Sequence, residues 1–179
     1  LFKHIGNLNN LSVADIGCGE GYCSRKFIEL GAKEVIGCDI SKNMIDIAKK
    51  NLNSNPIKYY ISDITKSIPA SIFDCDIIFA IFVFNYINNE NTLNFFKKLS
   101  NKRKQGSRFI FTLPHPFFPY LYKKDYPFSF KKNNLDYFKA NDNCFEGTIY
   151  RIDDIPLPVK MYHKTFEQLF KMLNEAGLN

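Results

Sequence analysis

The chain has 179 residues, 45% of them hydrophobic and 16% aromatic, with a formal net charge of +6 and an isoelectric point near 9.0. This length suits one globular domain with a continuous core. It excludes a membrane span, because the longest apolar run, 77–84, is far too short to cross a bilayer.

The cysteines and the charge runs predict a cytoplasmic protein. No N-terminal segment has the pattern of a signal peptide. The cysteines are odd in number and lack C-x-x-C pairing, which is typical of reduced thiols. They are Cys18, Cys23, Cys38, Cys75 and Cys144. The positive charge is concentrated in short lysine and arginine runs, which indicate solvated loops; a polyanionic partner is the alternative.

Strands and helices alternate in the first part of the chain. The predicted strands cover 11–16, 34–39, 57–62, 76–84 and 108–113. The predicted helices cover 22–30, a segment that begins after Ser41 with Met44, Ile47 and Ala48 inward, and 91–99. Because 76–84 is apolar on both faces, we expect a parallel sheet covered by helices. The fold class is therefore a doubly wound α/β fold with a mostly parallel sheet.

After residue 113 the pattern changes to a proline- and aromatic-rich segment, up to Phe138, that no predicted regular element spans. We interpret 114–163 as an insertion that caps a substrate site; short helices that thicken the core are the alternative. Within it, 148–152 and 159–162 are predicted to pair as antiparallel strands. A capping box of Thr165 and Gln168 then starts a last helix. Its predicted inner face consists of Phe166, Leu169, Phe170 and Leu173.

Three glycines at every second position follow the first predicted strand, in Asp15-Ile-Gly-Cys-Gly-Glu-Gly21. Glycine leaves no Cβ between the main chain and a ligand, so this loop can lie directly against a cofactor. The G-x-G-x-G spacing differs from the dinucleotide motif G-x-G-x-x-G. An ordinary strand-to-helix turn is the alternative interpretation.

Together these motifs resemble the class I S-adenosylmethionine-dependent methyltransferases, in particular the small-molecule group of methyltransferase type 11 or 12. The resemblance implies a Rossmann-like methyltransferase fold, S-adenosylmethionine as cofactor and S-adenosylhomocysteine as product. It implies that Asp39 holds the ribose hydroxyls, because a carboxylate can accept from two neighbouring O–H groups. The cofactor-binding residues that it implies are Asp15, Gly17, Cys18, Gly19, Gly21, Asp39, Ile40, Met44, Asp63, Ile64, Phe79 and Ala80.

The acceptor site is predicted from the loops that follow the strands. His115, after the fifth predicted strand, is the candidate catalytic residue, as a general base or by positioning the substrate. A loop histidine that fixes the proline-rich turn is the alternative. Tyr22, Asn85, Tyr86 and His163 are further candidate substrate contacts, although a contact at the helix entry is favoured for His163. No ligand spacing for a metal is present.

The sequence departs from the resemblance at its end. Two further strands usually follow the last helix in that family, so we expect residues 1–179 to be one methyltransferase domain that is incomplete at both ends.

Three functions follow as hypotheses. The first is methyl transfer to a small molecule by in-line displacement. The second is methylation of a nucleic acid such as RNA, although Asn85-Tyr-Ile-Asn88 stands where amino-directed base methylases carry Asn-Pro-Pro-Tyr. The third is a catalytically silent subunit that binds the cofactor or a partner protein.

Overall fold

The computed structural model describes residues 2, 5–52, 56–121, 128–131, 134–150 and 155–178. The strands are β1 (Ser12–Ile16), β2 (Glu34–Asp39), β3 (Ile57–Ile61), β4 (Ile77–Ile81), β5 (Arg108–Thr112), β6 (Phe128–Phe130), β7 (Cys144–Tyr150) and β8 (Pro156–Tyr162). The α-helices are α1 (Tyr22–Glu29), α2 (Lys42–Lys50), α3 (Asn89–Lys102) and α4 (Phe166–Glu175).

The chain forms two compact units. The first contains Leu1–Val83 and Lys98–Thr112, and the second contains Phe84–Lys97 and Leu113–Asn179. The predicted cap, 114–163, lies within the second unit.

The first unit contains a five-stranded parallel sheet in the order β3-β2-β1-β4-β5. The chain adds β2 and β3 on one side of β1 and then returns to add β4 and β5 on the other. The strand order therefore reverses between β1 and β4, which is the point where open α/β sheets bind ligands at their carboxyl ends. The predicted doubly wound fold is confirmed.

The core of this unit is apolar on both sides of β1 and β4. Val13, Phe27 and Phe79 are fully buried. The rings of Phe27, on α1, and Phe79, on β4, stack with their centroids 4.4 Å apart. This contact joins the first helix to the middle of the sheet, and burial of two aromatic rings is one of the larger single contributions to such a core.

Helix α2 buries a different face from the predicted one. Ser41 caps the helix as expected, accepting a hydrogen bond from the Met44 N–H. Ile45 and Ala48 are buried, whereas Met44 and Ile47 are exposed. The prediction of Met44 and Ile47 as inward residues was wrong, because the helix carries two apolar stripes and only one faces the sheet.

Strand β4 is shorter than predicted. It ends at Ile81, and Phe82 has a left-handed φ of 54° with its side chain exposed. A left-handed residue cannot continue a strand, so the chain turns here and Phe84 enters the 3₁₀ turn Phe84–Tyr86.

The second unit contains a three-stranded antiparallel sheet in the order β6-β7-β8. The predicted antiparallel pair is present as β7 and β8, but the predicted pairing of 148–152 with 159–162 was wrong in register: 148–150 pair with 156–158, and 159–162 pair with 144–147. Residues 151 and 152 lie outside the described residues. The expectation of no regular element in the aromatic segment was wrong, because Phe118–Tyr120 form a 3₁₀ turn and Phe128–Phe130 form a strand.

The inner face of α4 also differs from the prediction. Thr165 caps the helix by accepting from the Gln168 N–H at 3.1 Å, as the capping box implies. Met172 and Ala176 are buried, but Phe166 is 45% exposed and Phe170 is 61% exposed. Apolar residues surround much of this helix, so the sequence pattern alone could not select the buried stripe.

The position of Tyr59 generates a stability prediction for Gly21. A Cβ at Gly21 would lie 2.2 Å from the Tyr59 hydroxyl, and the Tyr59 ring is itself buried against Gly37. We expect Gly21→Ala to cost about 1–2 kcal/mol for its left-handed backbone and about 1–3 kcal/mol more for overpacking. Urea denaturation measures this loss.

Gly6→Ala is the matched control. Gly6 has nearly the same φ as Gly21, 82° against 83°, but no atom of the described residues lies within 4 Å of its Cβ position. We expect only the backbone cost of about 1–2 kcal/mol there. Equal losses in the two variants would contradict the packing role of Tyr59.

Candidate functional site

The glycine loop follows β1 and has left-handed backbone at Gly17, Gly19 and Gly21. A Cβ at Gly17 would lie 2.5 Å from Val83 Cγ2, so the loop after β1 lies directly against the chain that follows β4. In the part of the chain that the structure describes, a Cβ at Gly19 would meet no atom within 4 Å. The middle of the loop therefore presents bare main chain to open space, which is the feature that close contact with a ligand requires.

The carboxylate of Asp39 joins this loop to the end of β2. Its Oδ2 accepts the Gly19 N–H at 2.9 Å, and its Oδ1 accepts the Ser41 N–H at 2.8 Å. The Cys18 N–H also donates to the Cys38 carbonyl, at 3.0 Å. Each carboxylate oxygen has a second acceptor position, so Asp39 can bind two hydroxyl groups while it holds the loop.

Two apolar side chains next to Asp39 are exposed. Ile40 is 67% exposed and Met44 is 43% exposed. Large apolar side chains exposed beside a half-buried carboxylate are suited to a ligand that carries both a flat apolar ring and hydroxyl groups. A nucleoside has this composition, and the residues at this edge therefore fit S-adenosylmethionine.

Asp15 lies behind the loop, on β1. Its side chain is fully buried, and its Oδ2 accepts the Ser24 hydroxyl of α1 at 2.5 Å. Burial raises the pKa of Asp15 to about 7, since the hydrogen bond from Ser24 offsets only part of the desolvation of the charged form. Cys18 is also buried, and desolvation raises the pKa of its thiol, so it is unreactive.

Asp63, after β3, is engaged locally. Its Oδ1 accepts the N–H and the hydroxyl of Thr65, at 3.0 and 2.7 Å, and its Oδ2 lies 3.2 Å from Lys66 Nζ. The hydrogen bond from Thr65 lowers the pKa of Asp63, so the group is an anion at neutral pH. Ile64 is buried.

Phe79 and Ala80 lie inside β4, with β1 on one side and β5 on the other. Their side chains are fully buried. The chain leaves the sheet only after Ile81, where the Phe82 N–H donates to the Thr112 carbonyl at 3.1 Å. Val83, in the chain that follows β4, lies against Gly17 of the glycine loop, and Ala80 pairs with Ile16, directly before the loop. A cofactor contact from the main chain near Phe79 and Ala80 stays a prediction.

His115 is exposed in the second unit. Its Nδ1 accepts the Phe117 N–H at 3.2 Å, and its ring is edge-on to Phe166, with centroids 5.3 Å apart. A neutral imidazole with this hydrogen bond carries its proton on Nε2. His115 therefore fixes the turn before Phe118 and presents a donor to its surroundings.

His163 is buried, as the favoured interpretation of a helix-entry contact implies. Its Nε2 lies 2.9 Å from the Tyr137 carbonyl, and the rings of Tyr120, Tyr137 and Phe145 surround it edge-on. Desolvation lowers its pKa, so the ring is neutral at physiological pH.

The other predicted substrate residues occupy different environments. Asn85 is only 5% exposed, and its Oδ1 has no hydrogen-bond partner among the described residues. Tyr86, beside it in the 3₁₀ turn, is half exposed. Tyr22, at the start of α1 in the first unit, is also half exposed.

The family model of the methyltransferase domain matches residues 13–106. The matched region runs from the second residue of β1 past the end of α3 and contains the whole glycine loop. The chain belongs to the methyltransferase domain family. The predicted membership of the S-adenosylmethionine-dependent methyltransferases and the predicted cofactor are confirmed with it.

Named relatives include methyltransferases of different kinds. The ubiquinone biosynthesis O-methyltransferase of Pelagibacter ubique is 35% identical over 108 residues, 59% of this chain and 43% of the relative. The mRNA cap guanine-N(7) methyltransferase of Candida glabrata is 27% identical over 209 residues, 99% of this chain and 49% of the relative. The chain thus spans less than half the length of these relatives.

A solved structure with the same fold is that of a methyltransferase from Listeria monocytogenes described as S-adenosylmethionine-dependent. It superimposes with a TM-score of 0.71 at 24% identity, over 98% of this chain and 80% of that chain. The likeness supports the Rossmann-like methyltransferase fold.

The sequence pattern did not single out four residues that lie beneath the glycine loop or near other predicted site residues. Ser24 and Tyr59 lie beneath the glycine loop, Phe82 turns the chain after β4, and Lys164 is buried in the second unit. Ser24, on the predicted first helix, could have been suggested by the helical spacing from the loop. The other three depend on backbone angles and long-range packing.

No described helix is long and apolar enough to cross a membrane. In the part of the chain that the structure describes, no group of three or more histidine, cysteine or acidic side chains is arranged to hold a metal ion.

The raised pKa of Asp15 predicts how stability depends on pH. From about pH 4 to about pH 7 the folded protein keeps a proton that the unfolded chain has released, so the free energy of unfolding falls as pH rises through this window and is then level. Asp15→Asn removes this titration. Between about pH 5 and pH 7 we expect the variant to lose about 2 kcal/mol less than the wild type in denaturant titrations.

Asp46→Asn is the control, because Asp46 is an exposed partner of Lys42, whose hydrogen bond lowers its pKa. Its titration lies below this window. Parallel pH profiles for wild type and Asp15→Asn would contradict the assignment.

Proposed function

We propose that the chain transfers a methyl group from S-adenosylmethionine to a small-molecule acceptor. The observation that carries the proposal is the hydrogen bond from the Gly19 N–H to Asp39 Oδ2, 2.9 Å long. This hydrogen bond joins the glycine loop to Asp39, two features that the sequence predicted separately, at one edge of the sheet, where the strand order reverses.

The cofactor would be held by three kinds of contact. Asp39 would accept the ribose hydroxyls at the free acceptor positions of its carboxylate, while Gly19 leaves room for the ligand against the main chain. Ile40 and Met44 would cover the adenine ring with side chains that are otherwise exposed. Asp63, anionic and next to Ile64, is the proposed acceptor for the adenine amino group.

When bound, the cofactor supplies an electrophilic methyl group on a sulfonium. The chain then has to orient the acceptor and exclude water. We assign His115 a positioning role, in which its Nε2–H orients the acceptor. Work as a general base would need a lone pair on Nε2 and would break the hydrogen bond from the Phe117 N–H.

The exposed aromatic side chains near His115 support an acceptor with an apolar part. Phe117 and Phe166 both contact the His115 ring and are about half exposed. Asn85, Tyr86 and His163 belong to the same unit, and Asn85 carries an unpartnered oxygen that a ligand N–H or O–H can satisfy. Reduced, unpaired cysteines support a cytoplasmic location.

Methylation of RNA is the second candidate. The mRNA cap relative matches 99% of this chain, and the net charge of +6 is favourable for a polyanion. Filter binding of RNA separates the candidates: binding that is strong in low salt and weakens steeply in moderate salt would support RNA, whereas negligible binding at both would support the small molecule.

Asp39→Ala is the first test of the cofactor site. The substitution removes charge-assisted hydrogen bonds to two hydroxyls, so we expect S-adenosylmethionine to bind about tenfold or more weakly in calorimetry. Asp46→Ala, which removes an exposed acid of α2, is the control and should bind as the wild type does. Unchanged affinity in a folded Asp39→Ala protein would refute the role.

His115→Ala tests the acceptor side. Because none of the residues assigned to the cofactor is substituted, we expect near-normal affinity for S-adenosylmethionine and a turnover reduced about tenfold or more. Turnover is measured with an acceptor found by screening small hydroxyl and amine compounds. Equal turnover would leave His115 only its hydrogen bond to the proline-rich turn, and no turnover with any acceptor would favour the silent subunit.

A further inference from the structure

Lys164 is a buried cation that the sequence pattern did not single out. The residue is only 6% exposed, although lysine is rarely buried without a partner. Desolvation lowers its pKa to about 8, while Asp142 acts in the opposite direction. A buried lysine destabilises the fold unless its ammonium group makes compensating contacts. The contacts of the Lys164 ammonium group therefore indicate its role.

The ammonium group of Lys164 donates to the carbonyl oxygen of Ile87. Ile87 directly follows the 3₁₀ turn Phe84–Tyr86, and its own N–H donates back to the Phe84 carbonyl at 3.4 Å. The lysine therefore holds the end of the turn that carries Asn85 and Tyr86. The ring of Tyr162 lies 5.9 Å from the same Nζ.

Asp142 holds the next residues of this segment. Its Oδ1 accepts the Asn89 N–H at 2.7 Å, at the start of α3, and Asn141 Oδ1 accepts from Asn89 Nδ2 at 3.3 Å. The Asp142 N–H in turn donates to the His163 carbonyl at 2.8 Å. Asp142 and Lys164 thus hold the segment 84–89 by two hydrogen bonds, one at Asn89 and one at Ile87.

The segment 84–89 contains a buried side-chain oxygen without a hydrogen-bond partner among the described residues. The side chain of Asn85 is only 5% exposed, and its Oδ1 has no hydrogen-bond partner among the described residues. Buried side-chain oxygens are nearly always hydrogen-bonded, so a donor from a ligand fits this position. A rigid segment would keep this oxygen and the half-exposed Tyr86 in place before the ligand arrives.

We propose that Lys164 is a positioning residue that holds the acceptor-binding segment Phe84–Asn89 through its charged hydrogen bond to Ile87. The inference rests on the proposed function, in which Asn85 and Tyr86 contact the acceptor. It adds that the protonated lysine holds the segment more firmly than the neutral amine does, while the Asn89 N–H keeps its hydrogen bond to Asp142. Deprotonation leaves the amine a weaker donor and removes its attraction to Asp142, so alkaline pH loosens the segment.

The titratable groups that face Lys164 are Asp142, His163 and Tyr162. Burial keeps His163 neutral in the range where Lys164 titrates. Arginine keeps its charge at all relevant pH values, and methionine has a similar length without charge or donor. Lys164→Arg and Lys164→Met therefore separate the charge from the packing.

Hydrogen–deuterium exchange of a peptide covering 84–97 tests the proposal without an acceptor. After correction for intrinsic rates, we expect the wild-type peptide to exchange at least about threefold faster at about pH 9 than at about pH 7. Lys164→Met should exchange fast at both pH values, and Lys164→Arg slowly at both. A peptide covering 34–50, in the first unit, is the internal control and should be unaffected.

Equal exchange of the 84–97 peptide in wild type and Lys164→Met would overturn the proposal, as would an equal pH response in wild type and Lys164→Arg. If Lys164→Met does not fold, the comparison of wild type with Lys164→Arg decides alone. Calorimetry with S-adenosylmethionine keeps the two proposals apart. Absence of binding to the wild type would remove the proposed function, whereas Lys164 fails only by its exchange pattern.

Discussion

The structure of the site depends on one carboxylate that serves two purposes. Asp39 holds the glycine loop through the Gly19 N–H and the start of α2 through the Ser41 N–H, and in the proposed function its free acceptor positions take the ribose hydroxyls. The loop can stay close to the sheet because Gly17 has no side chain to collide with Val83. Contacts within the chain thus hold the loop and Asp39 at one edge of the sheet.

In each unit, a buried polar group lies next to a loop or turn that has a proposed role in binding. In the first unit, the hydrogen bond between Ser24 and Asp15 joins α1 to β1 beneath the glycine loop. The packing of the loop removes water from the Asp15 carboxyl group, which raises its pKa. In the second unit, Lys164 and Asp142 hold the segment that carries Asn85 and Tyr86. Burial of Asp15 and of Lys164 costs desolvation, and each of these two residues lies next to a segment with a proposed ligand contact.

The sequence was sufficient to predict the parallel sheet, the glycine loop, the position of Asp39 at the end of β2 and the helix caps Ser41 and Thr165. Each of these features follows from a local pattern of residues. It failed where two apolar stripes compete, as in α2 and α4, since the choice depends on what the rest of the fold presents. It also could not foresee that Phe82 adopts left-handed backbone or that Lys164 is buried, because both depend on long-range packing.

The central claim is that the loop and Asp39 together bind a nucleoside through its ribose. Calorimetric titration of the wild-type protein with S-adenosylhomocysteine and with its 2′-deoxy analogue tests this claim most directly. The account predicts one site for S-adenosylhomocysteine and an affinity for the analogue lower by about tenfold or more, because one hydrogen bond to a charged carboxylate is lost. Equal affinities for the two compounds, or no binding of either, would contradict it.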